Sequence, residues 1–486
     1  MAKTRKQLLQ LLQQKPDKRS DSFDRKLITP MIVGSVLNPV NSSIIAVSLV
    51  PIGTAFGVGL SSTTWLVSGL YLATALGQPV IGKLVDVYGP RRLYLAGAIF
   101  TGIAGLLGAL APSFWVLIVA RVILGFGTCV GYPSAMYLIR SEARRTGHES
   151  PAGVLTTLAV SAQTIAVIGP PLGGVLISLG GWRTTFALNI LLALACLYYG
   201  FRRLPSTTPL REVPIDNSES HLDYPGMLLF AVMLVSFLYF LMNPQISQLL
   251  LLVITVLSAI GFGWRELHCA APFLDLRVFG GNRPLLITYI RNALAMTVGY
   301  AFLYGFSQWL QDGRGLNAAA TGVILLPLSL VAIGVSSITG RRKEIRIKLL
   351  AAAIAQIIFC LLLLVLSSAS PLWLLVVVIA IAGIPQGLAS LANQNAVYYQ
   401  ADPTRMGASA GLLRTFTYLG ALLASAANSL FLQRTADTAG LHRLAVFMLL
   451  ISALFALLTV VDRSLGKVGV PNPDPTEKHV ETVEQQ

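Results

Sequence analysis

Between Gly82 and Arg92 the sequence reads Gly-Lys-Leu-Val-Asp-Val-Tyr-Gly-Pro-Arg-Arg, which sets one carboxylate, Asp86, between Gly82 and Gly89 and ahead of Arg91 and Arg92. A stretch of this composition turns tightly and lays charge against neighbouring helix ends. It reads as a loop that hinges two long apolar runs. Three further arginines, Arg121, Arg291 and Arg414, lie inside long apolar runs, where an unpaired guanidinium is costly and is expected to face a cavity. None of the 21 acids falls in the middle of such a run, and neither do the histidines. No nucleophile, base or metal cluster is placed for catalysis there. The chain therefore reads as a non-enzyme without cofactor or metal. Its candidates for carrying a proton are peripheral, Asp86 and Asp312.

The elements that must position these residues follow from composition. The chain has 486 residues, 54% of them apolar and 12% charged, against the roughly 25% charged expected of a soluble protein. It reads as an integral membrane protein. The formal charge of +15 resides in short segments between apolar runs and not on a basic, aromatic-flecked face, which argues against nucleic acid as a partner. Cys129, Cys196, Cys269 and Cys360 show no paired spacing, so neither disulfide nor metal site is predicted.

Since about 20 helical residues cross the hydrocarbon, the apolar runs predict fourteen spans: Ile28 to Leu49, Ser62 to Leu84, Leu93 to Ala111, Phe114 to Leu138, Ala152 to Leu179, Thr184 to Phe201, Pro225 to Met242, Ile246 to Gly263, Leu285 to Leu310, Ala318 to Gly340, Leu349 to Ser367, Leu372 to Asn395, Gly407 to Leu432 and Leu441 to Val461. Alternate loops hold roughly 29 of the 36 Lys and Arg, so by the positive-inside rule both termini are expected in the cytoplasm. Long polar stretches flank the seventh and eighth spans; removing that pair leaves six spans on each side. The expected division is a tail over 1–26, a six-helix bundle over 27–203, a linker with two extra spans over 204–283, a second bundle over 284–462 and a disordered tail over 463–486.

With these motifs in place, the chain resembles the major facilitator superfamily, and within it the fourteen-span drug/proton antiporters. The stretch Gly82 to Arg92 matches that superfamily's signature between helices 2 and 3, which implies gating roles for Asp86 and for Arg91 or Arg92. Arg121-Val-Ile-Leu-Gly-Phe-Gly is similar to the helix 4 motif whose arginine is linked to proton transfer, with Leu124 where glutamine is common. Gly169-Pro170-Pro171-Leu-Gly173-Gly174 resembles the antiporter motif of exporters, which implies export. Gly181-Trp182-Arg183, Asp223-Tyr-Pro-Gly226 and Pro272-Phe-Leu-Asp275 extend the likeness. One departure stands out. Asn41 occupies the place in helix 1 where fourteen-span exporters usually carry an aspartate.

The candidate substrate cavity is drawn from polar and aromatic residues within the spans: Asn38, Asn41, Ser42, Arg291, Asn292, Tyr304, Arg414 and Tyr418. If Arg291 and Arg414 both face it, the cavity favours anionic or zwitterionic solutes. Taken together, these features predict an all-helical, monomeric transporter in a bacterial inner membrane. The resemblance implies that it exports drugs or other amphipathic small molecules by alternating access in exchange for protons. An organic-anion carrier is the alternative, and a membrane-embedded sensor or enzyme is the reading from another class.

Overall fold

The computed structural model describes residues 23–146, 152–205, 223–242, 245–269, 272–274, 276–279, 282–339, 344–401, 406–432 and 436–466. Most of both expected tails, most of the polar stretch from 202 to 223, and Asp275 lie outside the described residues.

The described residues form no strand. The long helices, in chain order, are α1 (Ile28–Phe56), α2 (Leu60–Tyr88), α3 (Pro90–Ala109), α4 (Phe114–Thr128), α5 (Gly131–Thr146), α6 (Ala152–Gly180), α7 (Arg183–Arg203), α8 (Tyr224–Met242), α9 (Leu249–His268), α10 (Arg283–Gln308), α11 (Ala318–Ile324), α12 (Leu326–Thr339), α13 (Ile345–Leu363), α14 (Leu372–Gln400), α15 (Met406–Phe431) and α16 (Thr438–Val461). Among the described residues, eleven stretches are long and apolar enough to cross a membrane. With α2, α6 and α15, of 29, 29 and 26 residues, they make fourteen spans. The fourth and tenth spans are each broken into two helices, α4 with α5 and α11 with α12.

Because spans alternate in direction, α1 begins and α16 ends on one face, here the tail face; the opposite face is the far face. Side-chain bonds tie the tail face together. Arg203 at the end of α7 donates to Thr29 Oγ1 at the start of α1, 2.5 Å away. Asp462, just past α16, pairs with Arg291 near the start of α10 at 3.0 Å.

The stretch Gly82 to Arg92, expected as a loop, is mostly helix. α2 runs on to Tyr88 and α3 begins at Pro90, so the turn is confined to Gly89, with φ at 84°. Glycine alone adopts that φ freely, and proline's fixed φ suits a first helical turn. One Gly-Pro step thus replaces a loop.

Helices α1–α7 form one bundle and α10–α16 the other. Small residues set the closest approaches, as membrane helices require in the absence of a hydrophobic drive between them. A Cβ added at Gly97 of α3 would lie 2.7 Å from the carbonyl oxygen of Gly127 in α4. Outward faces carry exposed apolar side chains, among them Trp115, Leu179 and Trp373, as a lipid-facing surface should. The inserted pair is a hairpin in which Ser236 of α8 and Thr255 of α9 share a hydroxyl bond of 2.8 Å. α8 packs against both α2 and α15, one helix from each bundle; the rings of Trp65 and Tyr239 are 6.0 Å apart there.

Candidate transport pathway between the bundles

The seam between the bundles is built from small hydroxyls toward the far face and tyrosines deeper in. Ser61, Thr64 and Ser68 recur at helical spacing on α2, and Ser425 and Ser429 do so on α15. Ser429 donates to the carbonyl of Ser61 at 3.3 Å and Ser425 to that of Thr64 at 3.0 Å; the hydroxyls of Ser68 and Ser425 are 2.7 Å apart. On the neighbouring helices Ser307 donates to the carbonyl of Ala46 at 2.8 Å. Deeper, the hydroxyls of Tyr71 and Tyr304 lie 2.8 Å apart, and Tyr304 donates to the carbonyl of Ser42 at 2.9 Å. Tyr300 stacks on Tyr304, and the ring of Tyr71 sits 5.3 Å from Tyr300 and 5.8 Å from Tyr418. Sequence reasoning named Tyr304 and Tyr418 but missed Tyr71, Ser68 and Ser425. The missed signal was the polar stripe at helical spacing on α2 and α15.

The glycine-proline motif of α6 joins two interfaces. A Cβ at Gly169 would fall on the Ser43 side chain and one at Gly173 would sit 2.8 Å from Val47, both in α1. One at Gly174 would lie 2.6 Å from the carbonyl of Ala318 in the other bundle. Reciprocally, a Cβ at Gly322 would lie 2.4 Å from the carbonyl of Pro170. The motif thus brings α6 and α11 to backbone contact.

Toward the tail face Arg414 lies on the seam. Its guanidinium stacks over the ring of Tyr132 in the opposite bundle, 4.6 Å from the centroid, a cation–π contact. Arg414 is partly exposed.

Arg121 is 2% exposed. Its Nε donates to the carbonyl of Leu66 at 2.8 Å and its Nη1 to that of Asn41 at 3.4 Å, while Nη2 is buried without a hydrogen-bond partner. Beside it is a cavity of about 10 Å³ lined by Asn41, Ile44, Ile45, Arg121, Thr185 and Phe186, about the room one water needs. Main-chain carbonyls therefore do for this arginine what a carboxylate would do more strongly.

Two of the residues expected in the cavity make their side-chain bonds within their own bundles. The Asn41 amide donates to Asn189 Oδ1 at 2.7 Å and to the Leu37 carbonyl at 2.9 Å, so its side chain lies between α1 and α7. Arg291 is fully buried and bonded to Asp462, Asn393 and Thr288; a buried guanidinium with a carboxylate partner is structural before it is a ligand site. Asn292 donates to Thr417 Oγ1 at 2.9 Å, joining α10 to α15. Asn38 reaches Thr74 and Thr128, and the Ser42 hydroxyl donates back to the Asn38 carbonyl.

Of the gating residues, Gly82 and Asp86 lie in the last turns of α2, and the Asp86 side chain is outside the described part of the structure. Arg91 donates to the carbonyl of Phe201 at 3.1 Å, and Arg92 is exposed. Asp312 accepts from the main-chain N–H of Ala436 at 3.1 Å on the far face. A latch not foreseen ties the tail face of the first bundle. Glu142 receives two bonds from Arg145, at 3.0 and 2.6 Å, and one from the Asp24 N–H at 3.2 Å. Burial alone would push this carboxyl up, but those donors outweigh it and hold it below its usual range.

Paired helical bundles meeting along a polar and aromatic seam, with a lipid-facing exterior, define a polytopic membrane carrier. The chain belongs to the Major Facilitator Superfamily, which it matches over residues 31–425. It is 30% identical over 450 residues to the MFS-type transporter YwoD of Bacillus subtilis, covering 90% of this chain and 97% of that one. It is 24% identical over 417 residues to the methylenomycin A resistance protein of the same species, with 84% and 87% covered. Among solved structures, a bacterial homologue of the human lysosomal transporter Spinster, inward-facing and unoccupied, aligns with a TM-score of 0.63 at 16% identity, covering 93% of this chain and all of that one.

Proposed function

We propose that the protein is a secondary active exporter of drugs or other amphipathic small molecules, working by alternating access in exchange for protons. The observation that carries this is the glycine-proline motif of α6, which packs on α1 with one face and meets α11 across the seam with another. Motif resemblance links that stretch to export, and a resistance protein among the relatives supports drugs as substrates. The distribution of Lys and Arg supports a cytoplasmic tail face, and the Bacillus relatives support a bacterial inner membrane. On that assignment the hydroxyl and tyrosine bonds hold the outer half of the seam together. The two bundles, over 27–203 and 284–462, rock about this seam as a monomer, with the hairpin as linker.

Asp86 is the gating carboxylate and, with Asp312, the group able to respond to proton access. Asn41 contributes no titratable group. Accumulation of a cationic dye in everted vesicles that collapses with the proton gradient supports the proposal; accumulation indifferent to the gradient defeats it. Asp86→Asn, present in the membrane at normal levels, should be inactive.

A second reading, an organic-anion carrier, is favoured by Arg414, which sits partly exposed against Tyr132, Tyr300 and Tyr418. Arg414→Ala should weaken transport of anionic solutes more than cationic ones. An equal loss assigns Arg414 to structure.

A further inference from the structure

At the tail face, the start of α3 and the end of α7 lie side by side. Arg91 bonds the main chain of Phe201, and a Cβ at Gly200 would lie 3.1 Å from the Tyr94 ring and 2.9 Å from Leu95. The two helix ends together carry four guanidinium groups: Arg91 and Arg92 in the first turn of α3, Arg202 and Arg203 in the last turn of α7. Arg202 stands 5.7 Å from the ring centroid of Tyr198 and Arg203 5.0 Å from that of Tyr199. Among the described residues no carboxylate bonds any of the four.

The two arginines of α3 are placed against the helix dipole, whose N-terminal end is already positive. That helix has Pro90 at its start and, among the described residues, no side-chain cap, so the dipole of its first turn favours an anion. Four cations beside a helix N-terminus call for an anion with several oxygens. Tyr198 and Phe201 flank the patch and are 57% and 60% exposed, amphipathic and apolar surface at the depth where aromatic residues meet headgroups. A free phosphate has no use for those rings, whereas a phospholipid sets its phosphate on the arginines and its glycerol and upper acyl chain on the aromatics.

We propose that the junction of α3 and α7 on the tail face is a binding site for an anionic phospholipid headgroup.

The test uses the full-length protein in nanodiscs of mixed phosphatidylglycerol and phosphatidylcholine, followed by native mass spectrometry of the lipids that stay bound. The wild type should retain phosphatidylglycerol preferentially. The double substitution Arg202→Gln with Arg203→Gln should lower that retention about tenfold, the equivalent of one good charged contact. Arg183→Gln, on the far face, should leave retention unchanged. If the double variant does not fold, Arg202→Gln alone and Tyr198→Ala are read in its place. Equal retention of the two lipids, undiminished retention in the variants, or displacement by millimolar inorganic phosphate as effective as by lipid overturns the assignment.

Discussion

The hydroxyl of Tyr71 donates to that of Tyr304 across the seam, 2.8 Å away, because the single proton of Tyr304 is committed to the Ser42 carbonyl, which can only accept. Tyr304 is thus the middle of a chain from α2 through α10 to α1. A neutral hydrogen bond contributes about 1 kcal/mol net. Tyr71→Phe should therefore loosen the far-face seal by about fivefold in population, and Tyr304→Phe by more. The double variant should be no looser than Tyr304→Phe, since the Tyr71 bond exists only through Tyr304. Spin labels at the exposed far-face positions Leu110 and Trp373 read the effect as lengthened distances; strict additivity would refute the relay.

Asn41 and Arg121 touch through the asparagine's main chain and not its side chain. Asn41→Ala should keep the Arg121 contact and lose the bond to Asn189, costing about 1–2 kcal/mol of stability with transport largely retained. Arg121→Ala should leave two buried carbonyls without their donor and abolish transport while the protein still inserts. Thermal melts and vesicle transport on both variants distinguish the two roles, and inactivity of Asn41→Ala at wild-type stability would restore its side chain to the pathway.

Arg291 and Asp462 form a buried ion pair, each side chain at most 3% exposed. Removing one member should cost about 3–5 kcal/mol because it strands the other's charge. Arg291→Met with Asp462→Leu should recover much of the loss. Melting temperatures of the three variants in detergent test this, and a double variant as unstable as the worse single one would argue against simple charge stranding.

Gly174→Val should prop the far seam open, since even its Cβ would sit 2.6 Å from the Ala318 carbonyl, with backbone on the other side that cannot swing away as a side chain can. Labelling of a cysteine introduced at Ser425, in a background lacking the native cysteines, should rise several-fold from the far side. Unchanged labelling would mean that α6 and α11 are not held together here.

The Glu142 latch gives a pH expectation. A carboxyl held below its usual range contributes stability that is present above its unfolded value and is lost as pH falls through its folded value. Acidification should lower the melting temperature of the wild type more than that of Glu142→Gln. Parallel curves would remove Glu142 from the acid response.

Much of the fold was legible because a bilayer allows few solutions: apolar runs of span length became helices, and the inserted pair stood out by its polar flanks. The site was less legible, for reasons of rotation and distance. Asn38 and Asn41 are three residues apart on α1, and a small change of helical phase sends one toward Thr74 and Thr128 and the other toward Asn189. Arg291 has a carboxylate partner 171 residues away, which no local pattern announces. The charged stretch before Arg92 has the polarity of a loop, whereas α2 keeps its helix past the apolar window as far as Tyr88.

The position of α8 makes the two flanks of the molecule unequal. It covers the line where α2 meets α15, while the line between α6 and α11 is glycine and proline backbone. Among the described residues one flank is therefore shielded by a further helix and the other is not. A carrier of this shape is asymmetric toward its own membrane.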